Sequence, residues 1–125
     1  MANNLTLLVA HGSRDDRWKQ PFEALRQKLE NTIPPHAFAL CYMEMTTPTY
    51  LDILASLDVQ ALDSIQIFPL FMAAGAHVAH EIEDMKVDIQ NRYPHVQVSV
   101  LPPIGEHSLV QEVFQSVLQQ TIQST

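Results

Sequence analysis

Apolar and polar positions alternate along this chain in two rhythms, and together they mark out four strand-then-helix units. Leu5 to Ala10 is a run of apolar and β-favouring residues that ends at His11, Gly12 and Ser13 before the charges Arg14, Asp15 and Asp16. A run of that kind predicts a buried parallel strand passing into a helix. Ser13 is the expected cap, with Asp16 three residues on, and Trp18, Phe22, Leu25 and Leu29 recur at helical spacing until Pro34 and Pro35 enforce a stop. Ala37 to Met45 predicts a second strand, mostly apolar and therefore expected at the centre of a sheet, ending near Glu44. Thr47 and Pro48 follow as expected cap and first helical residue, with Leu51, Leu54 and Leu57 as the buried stripe of a short helix.

Ser64 to Phe71 predicts the third strand, with Pro69 near its end because proline cannot donate to a ladder. Gly75 marks a turn, after which Val78, Ile82, Met85 and Ile89 give a third helix its buried face. Val96, Val98 and Val100 alternate with Gln97 and Ser99, which predicts a strand with one wetter face, at or near an edge of the sheet. Pro102, Pro103 and Gly105 form a loop, Val110, Val113, Phe114 and Val117 define a last helix from Ser108, and the polar tail from Gln119 to Thr125 is expected to fray.

Four such units predict an α/β fold in one domain spanning residues 1–125: a four-stranded parallel sheet, right-handed crossovers, and helices on both faces in a flavodoxin-like layering. The consequence is geometric. His11, Glu44 and the loop from Met72 to His77 all fall at carboxyl ends of strands, the edge where open α/β sheets keep their chemistry.

Composition narrows the function classes. Fourteen acidic against seven basic side chains give a net charge of −7, which argues against nucleic acid as a partner. Arg14, Arg17 and Lys19 nevertheless stand directly after His11, so an anionic small molecule could be received there. Cys41 is the single cysteine and excludes an intrachain disulfide. With no charged-then-apolar leader and no long apolar run, the expectation is a cytoplasmic protein with no membrane partner.

His11, His77 and Glu44 make a set of two imidazoles and one carboxylate, suited to cobalt, nickel, iron or zinc and leaving coordination positions open. His77, His80 and Glu81 share one side of a helix if the helix has begun there, but the order is not that of a zinc protease motif. Met43, Met45, Phe71 and Met72 crowd the same edge, either as core packing or as the lining of a site for a flat apolar macrocycle.

The segments LLVAHGSRD, YMEMTTPTY and IQIFPLFMAAGAHVAHEI, in this order, resemble the class II tetrapyrrole chelatases, and specifically the small form of the sirohydrochlorin cobaltochelatase family. The resemblance implies that His11 and His77 handle metal and protons with Glu44 as the associated carboxylate. It implies a divalent ion, Co2+ or else Ni2+ or Fe2+, as substrate, with no permanently bound cofactor, and sirohydrochlorin as the ring that receives it, in cobalamin or sirohaem biosynthesis. Arg14, Arg17, Ser13, Met72 and Gly75 are the candidate substrate-binding residues, since the ring carries many carboxylates. Larger two-lobed chelatases resemble two copies of such a domain, so a homodimer is expected. The family often has aspartate, isoleucine and proline where this chain reads Glu81, Ile82 and Glu83. Two rivals stand beside this reading. A phosphohistidine phosphatase or mutase would carry an arginine where Ala10 precedes His11, and a cobalt or nickel carrier would use the same ligands without a ring.

Overall fold

The computed structural model describes residues 3–124. Four parallel strands, β1 (Asn4–Ala10), β2 (Phe38–Tyr42), β3 (Ser64–Pro69) and β4 (Gln97–Val100), form one sheet in the order β2-β1-β3-β4. Leu7 pairs with Ala39 on one side and Ile67 on the other, and Ile67 pairs with Val100. The helices are α1 (Gln20–Glu30), α2 (Tyr50–Ser56), α3 (Ala76–Arg92) and α4 (Ser108–Gln123). The expected α/β layering is present, with β1 and β3 at the centre.

β2 is an edge strand, contrary to the expectation that its apolar run placed it centrally. Its run reflects cover on both faces instead. Cys41 points into the larger core with Leu5, Leu7, Val9, Ile65 and Ile67, beneath Leu54 of α2 and Ile82, Met85 and Ile89 of α3. Leu40 and Tyr42 point the other way, into a smaller core with Leu8 and Ala10 that Phe22 and Leu29 of α1 close. Fully burying one such side chain contributes about 1.5–3 kcal/mol, so these two layers dominate the stability of the sheet.

The second face is apolar over its β1–β2 half and at Phe68 and Leu70, which carry that core onto the carboxyl end of β3. Toward β3 and β4 it presents Gln66, Gln97 and Ser99, all exposed, and Gln66 Nε2 donates to Thr6 Oγ1 at 2.8 Å. No helix can gain by covering that half. The last helix accordingly packs chiefly on the 3₁₀ turn at Ile104–Glu106, and every residue from Gln111 to Ser124 is exposed. It remains helical to Gln123, past the Gln119 position where fraying was expected; Thr125 lies outside the described residues.

Three local boundaries depart from the pattern-based reading. Ser13 does not cap a helix; Asp15 caps a 3₁₀ turn at Asp16–Trp18 by accepting from the Arg17 N–H, and α1 begins only at Gln20, with Pro21 in its first turn. Trp18 therefore precedes the helix and is 67% exposed. Thr49, not Thr47, caps α2, because Asp52 three residues on completes a reciprocal capping box with it. This phase buries Leu54, turns Leu51 outward, and brings Tyr50 and Ile53 onto the core.

Two tyrosine hydroxyls tie elements together, one strand to helix and one helix to helix. The Tyr42 hydroxyl donates to Glu23 Oε2 at 2.7 Å, and Arg26 Nε donates to Glu23 Oε1 at 3.0 Å. Burial pushes the Glu23 carboxyl up, but these donors outweigh it and hold the group below the usual range. The Tyr50 hydroxyl donates to Asp88, joining α2 to α3.

Burial also pushes the Cys41 thiol up to about 12. The folded protein should therefore fail to react with a thiol reagent at pH 8, and labelling should track unfolding in a denaturant series. Stoichiometric labelling of the native protein would show that the larger core opens readily at β2.

Candidate active site at the carboxyl edge of the sheet

The carboxyl ends of β1 and β2 are fastened together by backbone. Met43 N–H donates to Ala10 O at 2.9 Å and Glu44 N–H to His11 O at 3.1 Å, which extends the β1–β2 ladder into the two loops. Gly12 has φ +88°, and a Cβ there would lie 1.9 Å from the Glu44 carbonyl oxygen. Only glycine fits this approach. One step further, Ser13 N–H donates to Thr46 Oγ1 at 3.0 Å, and the Thr46 hydroxyl donates to Ser13 O at 2.8 Å. Met45, at φ 60°, turns the chain back between these contacts.

This arrangement bonds the His11 and Glu44 backbones to each other at one lip of the edge, and both residues are exposed. The His11 ring stacks on Phe71 with centroids 4.1 Å apart and planes 26° from parallel. Phe71 is buried and leads from β3, and its carbonyl accepts from Gly105 N–H at 2.9 Å. Thus the imidazole rests on Phe71, whose backbone is bonded to the turn before α4. The stacking partner was not read from sequence, where Phe71 stood only among lining residues; its position at the end of an apolar strand was the available signal.

His77 lies in the first turn of α3. Its side chain is 86% exposed, and Nε2 is 2.7 Å from Glu81 Oε1 one turn along. His80 and Asp84 repeat the spacing at 3.5 Å. Glu81 also lines a depression of about 310 Å3 with Met43, Tyr50, Asp84, Met85 and Asp88, which connects the β2 lip to α3. Among the described residues, no three His, Cys, Asp or Glu side chains are gathered closely enough to hold a metal ion. The structure therefore joins His11 to Glu44 through backbone, and pairs the His77 side chain with Glu81.

The candidate substrate-binding residues divide. Arg14 is exposed without a partner among the described residues, whereas Arg17 is held by Asp15 through bonds of 2.6 to 3.0 Å. Lys19 Nζ lies 3.4 Å from Thr47 O and over the Tyr42 ring. Ser13 Oγ accepts from Asp15 N–H at 3.1 Å and so shapes the loop. Met72 is half exposed beside Gly105, and Gly75 is the N-terminal flank of α3, where an added Cβ would meet open space.

A larger cavity of about 590 Å3 lies at the opposite, amino-terminal edge, between Asn4, His36, Leu57 and Leu62. It shares no residue with the strand-end loops, and the fold's chemistry belongs to the carboxyl edge.

Residues 5–121 match the CbiX family model. The chain belongs to the CbiX family. It is 28% identical over 109 residues to the sirohydrochlorin ferrochelatase of Bacillus subtilis (strain 168), covering 86% of this chain and 42% of that relative. It is 27% identical over 122 residues to the sirohydrochlorin cobaltochelatase of Methanococcoides burtonii, covering 90% of this chain and 93% of the relative. Among solved structures, a putative cobalamin biosynthesis CbiX protein from Marinobacter aquaeolei VT8 superposes with a TM-score of 0.82 at 26% identity, covering 98% and 99% of the two chains. The CbiX chain thus spans about two-fifths of the first relative and nearly all of the other two. The same architecture occurs alone and within a longer protein.

No helix among the described residues of this CbiX protein is long and apolar enough to cross a membrane. The Gly12 contact gives its site a direct test. Gly12→Ala combines a strained φ with a clash against backbone, so Tm should fall by roughly 5–10 °C. Calorimetry showing an unchanged Tm would mean that the two loops are not fastened as described.

Proposed function

We propose that this CbiX protein inserts a divalent metal ion, Co2+ by preference over Fe2+ or Ni2+, into sirohydrochlorin, with His11, His77 and Glu44 as its metal- and proton-handling residues. The observation that carries the reading is the fastening of His11 to Glu44 at the strand-end edge, in a chain matched to the CbiX family over residues 5–121. Relatives named for both cobalt and ferrous insertion support the ring, and leave the preferred ion to measurement.

The reaction exchanges one M2+ for two pyrrole N–H protons. The ion must lose water, the ring must be held, and the protons must be accepted. A neutral imidazole can ligate a borderline ion or accept a proton near neutral pH, and a carboxylate offsets the ion's charge. His11 is positioned for this by its stack on Phe71, which fixes the ring plane and leaves an edge open to solvent. His77 has Glu81 as its partner, so engaging an ion through Nε2 requires the pair to part. An exposed surface contact of this kind contributes little, roughly 0–1 kcal/mol, and the exchange is therefore inexpensive.

Arg14, unpartnered in the loop after His11, is the leading anchor for a ring carboxylate. Sirohydrochlorin and the metal are the partners, and the active form is a homodimer acting in the cytoplasm as a lyase of tetrapyrrole biosynthesis.

His11→Ala and His77→Ala should each slow cobalt and ferrous insertion by about 100-fold or more, with far-UV circular dichroism unchanged, since both side chains are exposed. Glu44→Gln should cost about tenfold, because shape is kept and only charge is lost. Absorbance of the metallated ring gives the rates, and parental rates in both histidine variants would place the site elsewhere. Cobalt binding by the parent without accelerated insertion would instead identify a carrier.

Arg14→Ala should raise KM for sirohydrochlorin by about three- to tenfold while kcat stays within about twofold, because the anchor acts alike on ground and transition states. Steady-state kinetics with an unaltered KM would remove Arg14 from the binding surface.

A further inference from the structure

We propose that His80 and Asp84 on α3 hold a divalent transition-metal ion in a second, outer site, from which the ion passes to His77. The delivery step rests on the insertion reading above, whereas the site itself does not.

α3 carries its donors as a stripe. His77, His80, Glu81 and Asp84 stand at i, i+3, i+4 and i+7, so they share one side of the helix, outside the face that buries Ile82, Met85 and Ile89. The two pairs within the stripe differ. His77 Nε2 and Glu81 Oε1 are closed to 2.7 Å, a hydrogen-bond separation, whereas His80 Nε2 and Asp84 Oδ2 stand 3.5 Å apart, beyond the usual range. Bonds of about 2.1 Å from one ion to a nitrogen and an oxygen, meeting at octahedral or tetrahedral angles, put the two donors roughly 3.0–3.4 Å apart. A shift of about 0.1–0.5 Å between two exposed side chains therefore converts the His80–Asp84 pair into a chelate.

The surroundings favour a cation. α3 carries four carboxylates, Glu81, Glu83, Asp84 and Asp88, against Lys86 and Arg92. Lys86 reaches Glu83 at 3.7 Å, and helical spacing sets it on the side opposite the stripe. Arg92 is held by Asp88, which also accepts from the Tyr50 hydroxyl. Neither the His80 nor the Asp84 side chain thus has a competing partner among the described residues.

Position gives the pair its use. Asp84 and Glu81 line one depression with Met43, the residue before Glu44, so the stripe leads from solvent to the β2 lip. Side chains at i, i+3 have Cβ atoms about 5–6 Å apart, and the transfer from His80 to His77 spans no more than one helical turn. No third His, Cys, Asp or Glu joins the pair among the described residues, which leaves the other coordination positions to water. An ion held by two protein donors exchanges readily, as collection without retention requires.

Histidine ring proton NMR during titration with Co2+ alone reads the site, because a paramagnetic ion broadens the ring it binds. In His11→Ala/His77→Ala, which lacks the inner imidazoles, the His80 ring signals should broaden ahead of those of His36, His95 and His107. Their loss on adding His80→Ala assigns them. Asp84→Asn in the same background should raise the Co2+ concentration needed by about tenfold. Broadening that begins at another histidine, or that Asp84→Asn leaves unchanged, overturns the site. Delivery is read in the otherwise unaltered chain, where His80→Ala should raise KM for Co2+ by about three- to tenfold with kcat within about twofold. An unaltered KM overturns delivery. A parent chain that shows the His80 broadening and inserts no metal overturns the insertion reading and leaves the outer site standing.

Discussion

The approach of Gly12 to the Glu44 carbonyl is the constraint on which the active edge depends. It brings two loops of different strands within backbone contact, and the neighbouring backbone positions of His11 and Glu44 depend on it. A side chain at residue 12 would force the loops apart by more than a rotamer change could absorb, because the atom it meets is backbone. The Ser13–Thr46 bonds then act on a geometry already set. Position, rather than a dense ligand cluster, is what the fold supplies to these residues.

A second asymmetry organises the rest of the molecule. One sheet face is covered by α2 and α3, whereas the other is apolar under α1 and at Phe68 and Leu70 but polar at Gln66, Gln97 and Ser99. The polar residues of β3 and β4 leave the last crossover without a place to pack, and the chain responds by sending α4 outward from a fixed turn. The apolar stripe on α4 and the polar half of the sheet are thus two consequences of one distribution of residues.

Much of this was legible in the sequence, and the failures have physical reasons. The alternation of Val96, Val98 and Val100 placed β4 at an edge, and Val78, Ile82, Met85 and Ile89 marked the core face of α3, because burial and periodicity coincide there. For β2 they did not coincide with position: an edge strand covered on both faces reads like a central one. Ser13 resembled a cap, but Asp15 formed the turn first and Pro21 delayed the helix. At α4 the pattern located the helix correctly while saying nothing of what covers it, since periodicity shows that a face is apolar and not which surface receives it. The edge location of His11 and Glu44 followed from topology; the Phe71 stack and the Glu81 partner of His77 depend on side-chain directions that spacing does not specify.

The electrostatics of the edge follow from the same local economy. On the proposed function a polycarboxylate ring approaches a chain of net charge −7, and the three cations after His11 are the local exception. Asp15 neutralises Arg17, while Lys19 faces the Thr47 carbonyl and the Tyr42 ring, which leaves Arg14 as the guanidinium open to a new carboxylate. Screening at physiological ionic strength limits repulsion from distant acidic residues to about 8 Å, so what the ring meets is governed by this loop rather than by the total charge. A single open arginine gives direction to binding without holding the product strongly. That balance suits the proposed reaction, in which a metallated ring would leave after every turnover, because an interaction made equally with substrate and product slows release as much as it aids capture.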